Sequence, residues 1–156
     1  MKEKFMKEAL KEALKARNKE EVPVGAVIVL GDKIISRAHN LRETKKNSLC
    51  HAEILAINKA CRKLNNFRLE NCEMYVTLEP CLMCAGAIVQ SRIKRVIVGA
   101  KDPKYGMAGT IFNAFALKSN HSVDIEFGIM EEECSKVIKD FFKKLREEHK
   151  KDNEKD

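Results

Sequence analysis

Phe5, Ala9, Leu10, Ala13 and Leu14 recur at the three- and four-residue spacing of a helix face, with lysines and glutamates between them. That pattern predicts an amphipathic helix over residues 2–18. The period then changes. Residues 24–30 are a continuous apolar, β-branched run and residues 33–38 a second, and the Gly31-Asp32 pair between them reads as a hairpin turn. A helix beginning near His51 carries Ile54, Leu55, Ile57, Ala60 and Cys61 inward. Residues 74–78 predict a third strand, 81–91 a third helix and 95–100 a fourth strand. Val123, Ile125 and Phe127 alternate with polar or charged residues, as a half-exposed fifth strand does. The last helix opens on Glu131, Glu132 and Glu133 and gathers lysines later, in the sense that suits the helix dipole. Its apolar face is Cys134, Val137, Ile138, Phe141 and Leu145.

The predicted order is α-β-β-α-β-α-β-β-α. Strands joined through helices imply parallel pairs, and the opening hairpin adds an antiparallel one. An α/β fold follows, with a mixed five-stranded sheet covered by helices on both faces. No internal repeat and no linker rich in glycine, proline or serine interrupts the chain. One domain over residues 1–146 is expected, and residues 147–156, almost wholly polar, read as a disordered tail. A domain of this size buries about 70% of its unfolded surface, so it folds without disulfides or a structural metal.

With 44% hydrophobic and 34% charged residues, the composition is that of a soluble globular protein. The N-terminal residues alternate charge with apolar positions and lack the apolar core of a signal peptide. No run approaches the roughly 18 apolar residues of a membrane span. A cytoplasmic protein with no membrane partner is expected, and its six cysteines should then be reduced. Cys50, Cys61, Cys72 and Cys134 stand alone in apolar or helical patterns and read as packing residues. Only Cys81 and Cys84 form a pair. The net charge of +7 is concentrated in two stretches. Residues 37–46 carry Arg37, Arg42, Lys45 and Lys46 against Glu43, and residues 92–104 carry Arg92, Lys94, Arg95, Lys101 and Lys104 against Asp102. Clustered positive charge attracts polyanions, although it also serves simple solubility.

Two motifs lie between these stretches. The first is His51-Ala52-Glu53, the second Pro80-Cys81-Leu82-Met83-Cys84. In Cys-x-x-Cys at a helix start the two sulfurs share one face, and the free N–H groups there favour thiolates. Two sulfurs and the nitrogen of His51 suit zinc, and three protein ligands leave a fourth position for water. Glu53, two residues on, would project about 200° away from His51 on a helix, but at the first turn it can still face the same cavity without ligating the metal. A carboxylate so placed can take a proton from the water and deliver it to a leaving group. The rival readings are a redox pair and a structural four-ligand site. Redox pairs usually follow the first strand of a βαβ unit, whereas this one follows the third. A fourth ligand would be Cys50, but adjacent helical side chains diverge by about 100°. His39 and His121 read as hydrogen-bonded surface or loop histidines.

With both motifs in hand, the sequence resembles the bacterial tRNA adenosine deaminases of the cytidine deaminase-like superfamily. The resemblance spans residues 21–142. It is carried by Glu21-Val22-Pro23-Val24-Gly25-Ala26-Val27, by Asn40, by residues 75–87 around the cysteine pair and by residues 99–110. It extends to Asn120-His121, Gly128-Ile129, Glu133-Cys134 and Phe141-Phe142. The resemblance implies a three-layer α-β-α cytidine deaminase-like fold and one zinc ion per subunit, on His51, Cys81 and Cys84. It implies Glu53 as the catalytic proton carrier and Val24, Asn40, Ala52, Asp102 and Lys104 as substrate contacts. The implied reaction is hydrolytic deamination of adenosine to inosine at the wobble position of a tRNA anticodon. The implied partners are the tRNA anticodon stem-loop and a second copy of the chain. Departures from the family pattern are Cys50 for a small residue, Leu41 after Asn40, and Pro103-Lys104-Tyr105. Phe142 and Arg146 are candidates for RNA contact or, equally, for core packing and a solvated face. A deaminase of a free nucleobase or nucleoside, of guanine or cytosine type, is the alternative that the zinc motifs alone do not separate. A non-catalytic zinc-stabilised subunit is a third reading, which the presence of Glu53 opposes.

Overall fold

A computed structural model describes residues 1–155. The chain runs α1 (Lys2–Asn18), β1 (Gly25–Leu30), β2 (Lys33–His39), α2 (Ala52–Leu64), β3 (Cys72–Leu78), α3 (Leu82–Gln90), β4 (Arg95–Ala100), β5 (Asp124–Phe127) and α4 (Glu131–Lys155). A short 3-10 turn, Ala114–Ala116, lies between β4 and β5. Gly31 takes φ 67° at the hairpin, a value that costs glycine nothing.

The strands pair in the order β2-β1-β3-β4-β5. β3, β4 and β5 are parallel, as expected of strands connected in the crossover sense. β2 and β3, joined through α2, also share a direction, but β1 lies between them and pairs antiparallel with both. The hairpin leaves one edge of β1 free, and β3 docks there.

Side chains alternate across the sheet and so divide the core in two. Ala26, Ile28, Met74, Val76, Val96 and Val98 pack with Ala52, Ala56, Ala60 and Ile88 of α2 and α3. Val27, Val29, Tyr75 and Ile97 pack with Phe5, Met6, Ala9 and Cys134 of α1 and α4. Both faces of β1 are covered, which is why it reads as an unbroken apolar run rather than an alternating one. The expected three layers are present. α1 lies so close to the sheet that a Cβ on Gly25 would collide with the backbone of Ala9 and Ala13.

Residues 147–155 depart from expectation. They continue α4 as helix instead of forming a disordered tail, and Asp156 lies outside the described residues. Glutamate and lysine are strong helix formers, and spaced pairs such as Lys136–Asp140 at 2.6 Å and Lys144–Glu148 at 4.0 Å support a solvated helix. Only the start of the predicted apolar face is buried, at Cys134, and every side chain from Phe142 to Glu154 is exposed.

The ends of β3 and β4, the start of β1 and the end of β2 meet at one edge of the sheet, as the pairs Gly25–His39, Ala26–Val76 and Leu78–Ala100 show. The N-termini of α2 and α3 open at that same edge. Ligands of α/β sheets bind outside the carboxyl ends of the parallel strands.

Candidate metal centre and catalytic site

His51 and Cys81 are each the residue before a helix, in extended backbone with φ/ψ of −75°/155° and −76°/177°. An extended cap swings its side chain over the first turn. For that reason Cys81 reaches back over Cys84, and His51 comes to both from α2. His51 Nδ1 lies 3.7 Å from Cys81 Sγ and 3.6 Å from Cys84 Sγ. All three ligand atoms fall within 4.8 Å of one another, the one such group found among the described residues. A tetrahedral zinc with bonds of about 2.3 Å to sulfur and 2.0 Å to nitrogen would place those ligands about 3.6 Å apart. The set fits zinc without rearrangement.

The charges agree with that fit. Cys81 is pulled down to about 4, first by the hydrogen bond from Cys84 and then by His51. Cys84 is pushed up, by that same bond and by burial. Cys81 is thus the sulfur most readily held as the thiolate that a metal ligand must be. His51 is raised, chiefly by its hydrogen bond with Cys81.

Glu53 is 4% exposed, and burial raises its carboxyl, with the Cys81 charge acting in the same sense. Cys81, His51 and Cys84 all act on its charge, so the carboxyl adjoins the ligand cluster. The helical geometry that would turn Glu53 about 200° from His51 does not apply, because His51 precedes the helix. Cys50, one residue further back, is buried and outside the ligand group.

The other predicted contacts lie in segments at the same edge of the sheet. Val24 accepts the Asn40 N–H at its carbonyl and packs on the main core. Asn40 is buried, its Oδ1 accepting from Arg42 N and its Nδ2 donating to Val22 O. Ala52 is fully buried beneath His51 in the chain. Asp102 turns its carboxylate into its own loop, accepting from the N–H groups of Lys104 and Tyr105, and Lys104 is exposed.

The family model of MafB19-like deaminases matches residues 1–146. The chain belongs to that deaminase family. It is 52% identical over 149 residues to a Bacillus subtilis (strain 168) protein named tRNA-specific adenosine deaminase, covering 95% of this chain and 92% of that one. A protein of the same name from Aquifex aeolicus (strain VF5) is 52% identical over 146 residues, covering 93% of this chain and 96% of the other. A solved structure from work on A-to-I editing by tRNA:A34 deaminases superposes with a TM-score of 0.84 at 41% identity. It covers 86% of this chain and 98% of that one.

One residue of this deaminase-family chain was not singled out from the sequence. Glu79, 2% exposed and two positions before Cys81, accepts hydrogen bonds from the backbone of Asp102, Ala108 and Thr110 and from the Thr110 hydroxyl. Met107 N–H donates to Pro80 O, so the loop after β4 is clamped directly onto the ligand segment. Gly106 passes so near that a Cβ there would sit 2.5 Å from the Glu79 carboxylate. A lone acid between an apolar strand and Pro80-Cys81 was the available signal. Glu79→Gln sets an amide N–H₂ against backbone donors, and leaving buried donors unmet costs about 2 kcal/mol. The melting temperature should fall by about 6 °C; an unchanged melt would show that the clamp contributes nothing.

The charged stretches separate in space. Arg42, Lys45, Lys46, Lys101 and Lys104 lie at the edge of the sheet that carries the site, whereas Arg92, Lys94 and Arg95 sit at the start of β4. Six strand residues put those ends about 17 Å apart. Arg37 is tied to Glu8 at 2.6 Å, and Arg95 faces Glu73 at 3.7 Å. His39 bonds Glu12 and Lys19, and His121 bonds Ile93 O, so neither joins the cluster. Cys72 and Cys134 are buried and Cys61 half-buried, in keeping with packing roles.

Proposed function

We propose that the chain is a zinc-dependent hydrolytic deaminase converting adenosine to inosine at the wobble position of a tRNA anticodon. The observation that carries the chemistry is the juxtaposition of His51, Cys81 and Cys84 at zinc-fitting distances, with the buried Glu53 beside them. The substrate assignment is supported by the names of relatives that match over nearly their whole length.

His51 Nδ1 and the two sulfurs would hold one zinc per chain, which would supply Lewis acidity to a water at neutral pH. Glu53 takes one proton from the attacking water and gives it to the ring nitrogen, then carries the second proton, from the newly attached hydroxyl, to the amino group, which leaves as ammonia. Its burial suits this role, since a carboxylate with a raised pKa takes a proton from water more readily than an ordinary one and holds it nearer neutral pH for donation. The target base must leave its stack to reach the site. Val24, Asn40 and Ala52 form the wall of its pocket, and Asp102 and Lys104 stand in the clamped loop beside it. Arg42, Lys45, Lys46 and Lys101 offer positive charge to the flanking phosphates.

A second copy of the chain is the partner we assign. Leu82, 60% exposed at the start of α3, and the exposed Ile111 and Phe112 form apolar surface beside the site, of the kind that interfaces cover. Residues 1–146 constitute the single deaminase domain, a reading supported by the extent of the family match. The cytoplasm is the assigned compartment. Six unpaired cysteines support it, and no helix among the described residues is long and apolar enough to cross a membrane.

The decisive experiment incubates the zinc-loaded protein with a tRNA transcript bearing A34 and sequences the product. Inosine at that position is expected, from a protein that sediments as two chains. Absence of inosine with zinc bound would overturn the reading, and ammonia release from guanine or cytosine without RNA would favour the free-base alternative.

A further inference from the structure

The edge of the sheet opposite the metal centre carries a surface that the reaction does not use. Phe67 is 69% exposed there, and the Arg68 guanidinium lies 5.2 Å from the centre of its ring. Leu69 N–H donates to Ser91 O at 2.7 Å and Lys94 N–H to Cys72 O at 3.0 Å, which draws the loop before β3 against the turn before β4. Arg92 and Lys94 thereby join Phe67 and Arg68, and Arg62 and Lys63 border them from the last turn of α2. None of these five cations forms an ion pair among the described residues, whereas Arg95, just inside the sheet, is neutralised by Glu73. Glu70 is the exposed acid within the loop.

A solvent-facing aromatic ring among unpaired cations adds nothing to solubility, which charge without the ring would serve as well. The combination matches single-stranded nucleic acid. Cations track the phosphates, and an aromatic ring flanked by arginine stacks an unpaired base without regard to its identity. We infer that this face is a second RNA-binding surface, taking phosphates on Arg62, Arg68, Arg92 and Lys94 and a splayed base on Phe67. The inference rests on the RNA substrate proposed above. β3 separates the face from the site by about 20 Å, which at one phosphate per ~3.4 Å of a duplex strand is about six nucleotides. An RNA whose target base occupies the site is long enough to reach it.

The test compares a full-length tRNA with an oligonucleotide of about five nucleotides centred on the target adenosine, too short to span the distance to the face, in binding titrations over a salt series and in deamination assays. Arg62→Ala/Arg68→Ala/Lys94→Ala should weaken binding of the full-length tRNA and make the log–log salt slope shallower by about two, at ~0.7 per single-strand phosphate contact. Phe67→Ala should weaken binding about tenfold with the slope unchanged. Both variants should deaminate the short oligonucleotide at the wild-type rate, which separates failure of this inference from failure of the proposed reaction. Wild-type affinity and slope for full-length tRNA in both variants would overturn it. So would an equal loss on the short oligonucleotide, or a wild-type slope in the triple variant.

Discussion

Glu53→Gln should abolish turnover, lowering kcat by about 10²–10⁴, while the protein stays folded and keeps its zinc. Glutamine has the shape of glutamate, so the buried pocket at the first turn of α2 is neither emptied nor overfilled. What it lacks is a group that takes a proton from water and gives it back. His51, Cys81 and Cys84, the titratable groups nearest in the site, are committed to the ligand cluster and offer no substitute. Glu53→Ala is a poorer probe, because a truncated side chain in a buried position leaves a cavity that water can enter and confuses loss of chemistry with loss of packing. The measurement is inosine formation under single-turnover conditions, alongside zinc content and a melting curve. Activity within tenfold of wild type, with zinc bound, would remove Glu53 from the mechanism.

The chemistry was legible in the sequence because its signals are local. His51, Glu53, Cys81 and Cys84 each lie at the cap or first turn of a helix, and helix starts are marked by short-range features. The arrangement of the strands was less so. That β1 pairs antiparallel with β3 depends on which edge of a hairpin the later chain reaches, and no residue near β1 encodes it. Glu79 escaped notice for the same reason: its partners lie 23 to 31 positions further along, and only the folded loop brings them to it. Charge misled in a different way. Arg92 and Lys104 are close in sequence, yet a strand runs between them, so one stretch of positive charge serves two ends of the molecule. Residues 147–155 were read as disordered because a solvated helix and a disordered tail share a composition. Alternating acids and bases at helical spacing were the overlooked cue.

Cys84→Ser should strip the metal and with it all activity. Cys84 is fully buried, and its sulfur stands 3.6 Å from His51 Nδ1. A serine side chain there is nearly the same size, so the local structure survives, but its hydroxyl does not ionise to a soft anionic ligand as a thiol does. Two protein ligands remain where three held the ion. Losing an outer-shell partner already costs metal sites 10- to 100-fold, and loss of a direct ligand should exceed about 100-fold in zinc affinity. The fold does not depend on the ion, because the two cores on either face of the sheet are complete without it. Zinc content after dialysis against a chelator, with circular dichroism on the same sample, should show a folded chain without metal. Cys50→Ser supplies the contrast. Cys50 is buried next to His51 in the chain yet outside the ligand group, so its substitution should leave one zinc per chain. Zinc retained by Cys84→Ser, or lost from Cys50→Ser, would mean that the donor set is not His51, Cys81 and Cys84, and Glu53 would lose the neighbour that gives its carboxylate a proton to move.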